Sequence, residues 1–100
     1  MTAHLRFDRS QIASFCRRNK IRRLSFFGSV LRDDFPPDSD VDVLVEFEPG
    51  EVVGLRFIEI ERELSDLLGG RAVDMVTPKF LNRRIRDRVL ATADTQYAEG

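Results

Sequence analysis

The sequence predicts an α/β fold, a small mixed β-sheet flanked by helices, on three observations. Apolar residues recur at helical spacing near both ends of the chain and in its middle. Short runs rich in Val, Leu and Phe lie between those segments, and one of them alternates with period two. Gly, Pro and Asn punctuate the junctions, so helical and strand segments follow one another as a helix-covered sheet requires.

Asp8 can cap a first helix on which Ile12, Phe15 and Cys16 fall at i, i+3 and i+4, and Asn19 and Lys20 end it. Residues 21–27 contain Leu24, Phe26 and Phe27 and stop at Gly28, as a buried strand does. Ser29 opens a short helical turn to about Arg32, and Pro36 and Pro37 make residues 33–39 a loop. Val41, Val43, Val45 and Phe47 alternate with Asp40, Asp42, Leu44 and Glu46, a strand whose one face begins with two carboxylates.

After the turn at Pro49 and Gly50, Val53, Phe57, Ile60, Leu64, Leu67 and Leu68 follow helical spacing up to Gly69 and Gly70. Residues 71–76 read as a third strand carrying Asp74. Thr77 and Pro78 resemble an N-cap followed by proline at the first helical position, which predicts a last helix with Leu81, Ile85 and Val89 on one side. The expected order is helix, strand, helix, strand, helix, strand, helix, with a core over about residues 8–90. Residues 92–100 are expected to form a frayed tail unless Tyr97 pins them.

One hundred residues fit a single domain burying roughly 60 to 70% of its unfolded surface. With 42% hydrophobic and 33% charged residues, the composition is neither membrane-like nor disordered. A formal charge of −1 provides no global field for a polyanion, so direct nucleic-acid binding is not expected. Cys16 is the only cysteine, which excludes an internal disulfide and a cysteine-based zinc site. The first residues carry charge where a signal peptide needs an apolar stretch, and no run approaches a membrane span, so we expect a cytoplasmic protein.

Three groups carry the chemistry. Gly28 and Ser29 lie where a strand meets a helix start, a place for a phosphate if they are more than a turn. Asp40 and Asp42 project from one face with Cα atoms about 6.6 Å apart. They are either solvated strand-entry acids or ligands for a hard divalent cation such as Mg²⁺. Asp74, mid-strand between Val73 and Met75, would be costly if buried alone and needs a partner, either one of the many arginines or a metal shared with the other two acids.

Taken together, Phe27-Gly28-Ser29-Val30-Leu31-Arg32, the residues to Asp38-Ser39-Asp40-Val41-Asp42-Val43-Leu44-Val45, and Asp74 on the next strand resemble the DNA polymerase β superfamily. The stretch is similar to its minimal nucleotidyltransferases, the antitoxin partners of HEPN-domain ribonuclease toxins. The resemblance implies the nucleotidyltransferase (polymerase β-like) fold and a Mg²⁺-dependent protein adenylyltransferase (AMPylation) that moves AMP from ATP to a hydroxyl of the cognate toxin, a tyrosine. It also implies roles for particular residues. Asp40, Asp42 and Asp74 become catalytic carboxylates holding one or two Mg²⁺ ions, and Gly28, Ser29 and Arg32 become nucleotide-binding residues. Val30 and Asp33 stand where relatives often have a basic residue and a glycine. That departure supports an alternative, a binding module that neutralises its toxin by complex formation alone.

Lys79, Arg83, Arg84, Arg86 and Arg88 make the last helix basic, with Lys79/Arg83 and Arg84/Arg88 at i, i+4. That helix is a solvated face or a docking face for an acidic protein or an RNA. The cluster Arg17, Arg18, Lys20, Arg22 and Arg23 has the same ambiguity, and the apolar stripe of the middle helix leaves homo- or hetero-oligomer formation open. His4 has no second ligand near it in sequence and is assigned no role.

Overall fold

A computed structural model describes residues 7–28 and 40–98. Helix α1 spans Arg9–Arg18 and strand β1 spans Ile21–Phe27. Then come β2, Val41–Phe47, α2, Arg56–Leu67, and β3, Val73–Val76. A single 3₁₀ turn, Pro78–Phe80, leads to α3, Arg83–Thr92, and β4, Asp94–Ala98. The expected turn after Ser29 falls outside the described residues.

Local chemistry explains most of these boundaries. Asp8 caps α1 by accepting a 2.8 Å hydrogen bond from the Ser10 amide, and the Ser10 hydroxyl and amide together hold its carboxyl below the usual carboxylate range. Lys20 takes φ +59° and turns the chain into β1. At the end of α2, Gly69 and Gly70 take φ +77° and +82°, and their amides donate to the carbonyls of Asp66 and Ser65. α2 itself begins at Arg56, later than the apolar spacing from Val53 suggests, because Gly54 and Leu55 form a turn ahead of it.

The four strands make one mixed sheet in the order β3-β2-β1-β4, with β1 antiparallel to both neighbours and β2 parallel to β3. α1 and α2 cover one face. There Ile12, Phe15 and Cys16 meet Leu24, Phe26, Val41, Val43, Val45 and Met75 from the strands and Ile60, Leu64 and Leu68 from the α2 region. Phe7 adds an edge-to-face contact with Phe26 at a centroid distance of 5.2 Å.

Two expectations are corrected. The tail is not frayed through residues 94–98: they form β4, paired with β1, and Tyr97 packs on the core. The last helix does not start at Pro78. Leu81 leaves the helical region, and Asn82 caps α3 by accepting from the Ile85 amide at 3.1 Å. Lys79 therefore lies outside α3, and of the two expected i, i+4 basic pairs only Arg84 and Arg88 share the helix. Ile85, expected in the core, is 49% exposed, which leaves Val89 as the buried residue of α3.

The crossovers decide which face α3 takes. β4 runs parallel to β2 and β3, because β1 reverses between them. The β2-α2-β3 connection moves outward across the sheet and the β3-α3-β4 connection moves back, so right-handed crossovers put α2 and α3 on opposite faces. The two buried apolar residues outside the main cluster fit this placement. They are Leu44, which points away from the α1/α2 layer, and Val89.

Candidate active site

The face opposite α1 and α2 carries the acids. Phe27 of β1 is the register partner of Asp42 on β2, and Asp42 is in turn the register partner of Asp74 on β3. In-register residues of neighbouring strands share a face, so the carboxylates of Asp42 and Asp74 stand side by side on strands about 4.8 Å apart. Like charges placed directly opposite one another destabilise a sheet unless a counter-charge joins them. Asp42 is half-buried and Asp74 is exposed.

Asp74 thus corrects the expectation of a costly mid-strand acid. It points away from the core, whereas its neighbour Met75 is buried, and its side chain makes no hydrogen bond or ion pair with the described residues. None of the arginines among the described residues has claimed it. Asp40 stands immediately before β2, exposed, and precedes the strand ladder.

Gly28 closes the site from the β1 side. It has φ +73°, and a Cβ at that position would collide with Asp42 Oδ2 while standing 3.3 Å from its Cγ. Only glycine lets the backbone approach this carboxylate, and close approach is what a small ion or a phosphate group held beside it needs. Ser29 and Arg32, the other expected nucleotide-binding residues, lie outside the described residues.

The fold holds β3 in place from both sides. The Met75 amide donates to Glu61 Oε2 at 3.0 Å, the Val41 amide donates to the Ala72 carbonyl at 2.8 Å, and the Ser65 hydroxyl donates to the Arg71 carbonyl. Glu61 is therefore a positioning residue that sequence reasoning missed, because it reads as part of the charged side of α2. The available signal was its place four residues after Phe57 and three before Leu64, inside the apolar stripe.

The donor set suits a hard divalent cation: carboxylate oxygens only, set against a glycine backbone. Among the described residues, no three His, Cys, Asp or Glu side chains are gathered into a metal-holding group. What the strands bring together is the pair Asp42 and Asp74, with Asp40 at the strand mouth outside the ladder. Among the described residues, no helix is long and apolar enough to cross a membrane.

Comparison with known proteins follows the same lines. Residues 9–93 match the family model described as a nucleotidyltransferase domain. A candidate protein adenylyltransferase of Methanocaldococcus jannaschii, MJ0435, is 34% identical over 76 residues, covering 76% of this chain and 80% of its own length. The protein adenylyltransferase MntA of Thermococcus cleftensis is 45% identical over 71 residues, covering 70% of this chain and 69% of its own. Among solved structures, a candidate minimal nucleotidyltransferase superposes with a TM-score of 0.71 at 39% identity, covering 85% of each chain. A toxin–antitoxin complex with AMP-PNP contains a chain that shares the fold, with a TM-score of 0.73 at 19% identity over 92% of this chain and 74% of that one.

Proposed function

Given that the chain belongs to the nucleotidyltransferase domain family, we propose that it is a minimal nucleotidyltransferase acting as an antitoxin in the cytoplasm. It transfers AMP from ATP to a hydroxyl, a tyrosine, of a cognate HEPN ribonuclease toxin and so neutralises it. The observation that carries this reading is the in-register pair Asp42 and Asp74 beside Gly28. Relatives named protein adenylyltransferase and a fold-matched chain solved with a toxin and AMP-PNP support it.

In this mechanism the acceptor hydroxyl oxygen attacks the α-phosphorus of ATP. The bond between the α-phosphorus and the bridging oxygen breaks, and pyrophosphate leaves. Asp74, the exposed member of the pair, takes the hydroxyl proton and passes it to water. Asp42 and Asp40, with Asp74, would hold Mg²⁺, which when bound neutralises charge on the reacting phosphates. Gly28 offers its backbone to the departing phosphates, and Ser29 and Arg32 complete that clamp in the reading the sequence suggests. A wholly apolar site could not offset the charge that develops on pyrophosphate.

The test is to incubate the protein with ATP, Mg²⁺ and the product of the adjacent reading frame, and to look by intact-mass spectrometry for an added AMP. We expect addition by the wild type and none by Asp40→Asn/Asp42→Asn. Retained transfer by that variant would sink the mechanism. Neutralisation that persists in the variant without transfer would favour the binding-module reading, to which Val30 and Asp33 point.

A further inference from the structure

Between Lys79 and Thr92 the sequence has five basic residues and one acid, within a chain whose formal net charge is −1. The structure sorts these cations. Arg86 turns inward: its Nε donates to the Pro78 carbonyl at 3.0 Å and its Nη2 to the Leu81 carbonyl at 3.2 Å, closing the break between the 3₁₀ turn and α3. Arg83, Arg84 and Arg88 are exposed, and none of them pairs with an acid among the described residues. With Val89 facing the protein, Asp87 and Ala91 fall nearly opposite it, Arg84 and Arg88 lie together on one solvent-facing flank of α3 and Arg83 on the other; Ile85, 49% exposed, borders the Arg88 flank.

Position gives this face its meaning. Right-handed crossovers put α3 on the side of the sheet that carries Asp42 and Asp74, and its last turn feeds β4, whose Asp94 stands opposite Phe26. Phe26 adjoins Phe27, the register partner of Asp42. The C-terminal end of α3 therefore lies at the carboxylate end of the sheet, with Arg88 and Arg84 about 6 and 12 Å back along the helix from Thr92.

We infer that the solvent-facing flank of α3 that carries Arg84 and Arg88 is the docking surface for an acidic patch on the acceptor protein. This rests on the adenylyltransferase reading and names the surface and partner chemistry it needs. The exposed carboxylates repel an acidic acceptor, and unpaired guanidinium groups on the same face supply the opposing attraction. Arginine beside an exposed aliphatic side chain, here Ile85, is the make-up of a protein interface. RNA is the less suited occupant, because α3 offers no aromatic side chain on which a base can stack.

The test measures binding of the purified adjacent-frame protein by calorimetry without ATP, which separates docking from transfer. Arg84→Glu/Arg88→Glu should weaken that binding at least tenfold and flatten its salt dependence, while leaving Mg²⁺·ATP affinity unchanged. Arg84→Glu alone creates an acid–base pair at i, i+4 that favours the helix, so its intermediate loss cannot be attributed to unfolding. Unchanged affinity in the double variant, or no binding by the wild type, overturns the docking surface. Wild-type binding of poly(U) that the double variant loses while partner affinity stays also overturns it, in favour of RNA. Wild-type binding without AMP transfer instead counts against the adenylyltransferase reading and leaves docking standing.

Discussion

Replacing Gly28 with alanine separates the site from the fold, because the protein carries its own control. Gly28 and Gly69 have nearly the same φ, +73° and +77°, but a Cβ at Gly69 meets nothing within 4 Å whereas one at Gly28 strikes Asp42 Oδ2. Each alanine places an L-residue in the left-handed region, at a cost of about 1 to 2 kcal/mol. For a domain of this size each kcal/mol lowers the melting temperature by roughly 4 to 8 °C. At Gly28 the Asp42 carboxylate must also rotate, which adds about 0.5 to 1.5 kcal/mol if it leaves its rotamer.

The larger effect is on the ligand. A ligand at a hundred times its Kd stabilises the native state by about 2.7 kcal/mol, and if Gly28→Ala weakens binding hundredfold that stabilisation falls to about 0.4 kcal/mol. Melting curves with and without Mg²⁺ and a non-hydrolysable ATP analogue read this directly. Gly69→Ala should keep the full ligand-induced shift, and Gly28→Ala should lose most of it. Equal shifts in the two variants would mean that the contact with Asp42 has no part in binding.

Three further outcomes follow from the same geometry. Asp74→Asn removes a like charge opposite Asp42, so in EDTA it should raise stability by roughly 0.2 to 1 kcal/mol while Mg²⁺-dependent transfer disappears; a less stable apo protein would show that Asp74 has a structural partner. Glu61→Ala frees the Met75 amide at the sheet edge and should cost about 1.5 to 3 kcal/mol, with that amide losing hydrogen-exchange protection ahead of its neighbours in β2. Burial pushes the Cys16 thiol up from 9.0 to about 12, so the native state holds its proton over a range where the unfolded chain releases it. Stability from this group is complete below pH 9 and should decline from there toward pH 12 by about 1.4 kcal/mol per unit; chemical denaturation across that range checks it, and Cys16→Ala should flatten the slope.

How far the sequence could be read depended on whether a feature is local. Asp8, the Ile12/Phe15/Cys16 stripe and the alternation from Val41 each act within a few residues, and α1, β1 and β2 appear where those signals put them. β4 was not legible: Asp94–Ala98 has Tyr97 as its one large apolar residue and owes its strand geometry to β1. The start of α3 was misplaced because Thr77-Pro78 and Asn82 are both plausible caps, and the first opens only a 3₁₀ turn. At the site, period two leads to the expectation of a shared face for Asp40 and Asp42, yet Asp40 stands ahead of β2 and outside its ladder; pairing Asp42 with Asp74 depends on a register set across an entire helical crossover, which no local pattern encodes. The contact between Gly28 and Asp42 is likewise tertiary.

The pairing of β4 with β1 also bears on biosynthesis. The hydroxyls of Ser25 and Thr95 meet at 3.2 Å across 70 residues of chain, so a nascent polypeptide presents one side of β1 unpaired for most of its translation. Contacts this distant in sequence form slowly, and an open strand edge invites pairing with another chain in the meantime. Protein made faster than β4 can emerge and dock should therefore collect in inclusion bodies, and slowing translation should return it to the supernatant.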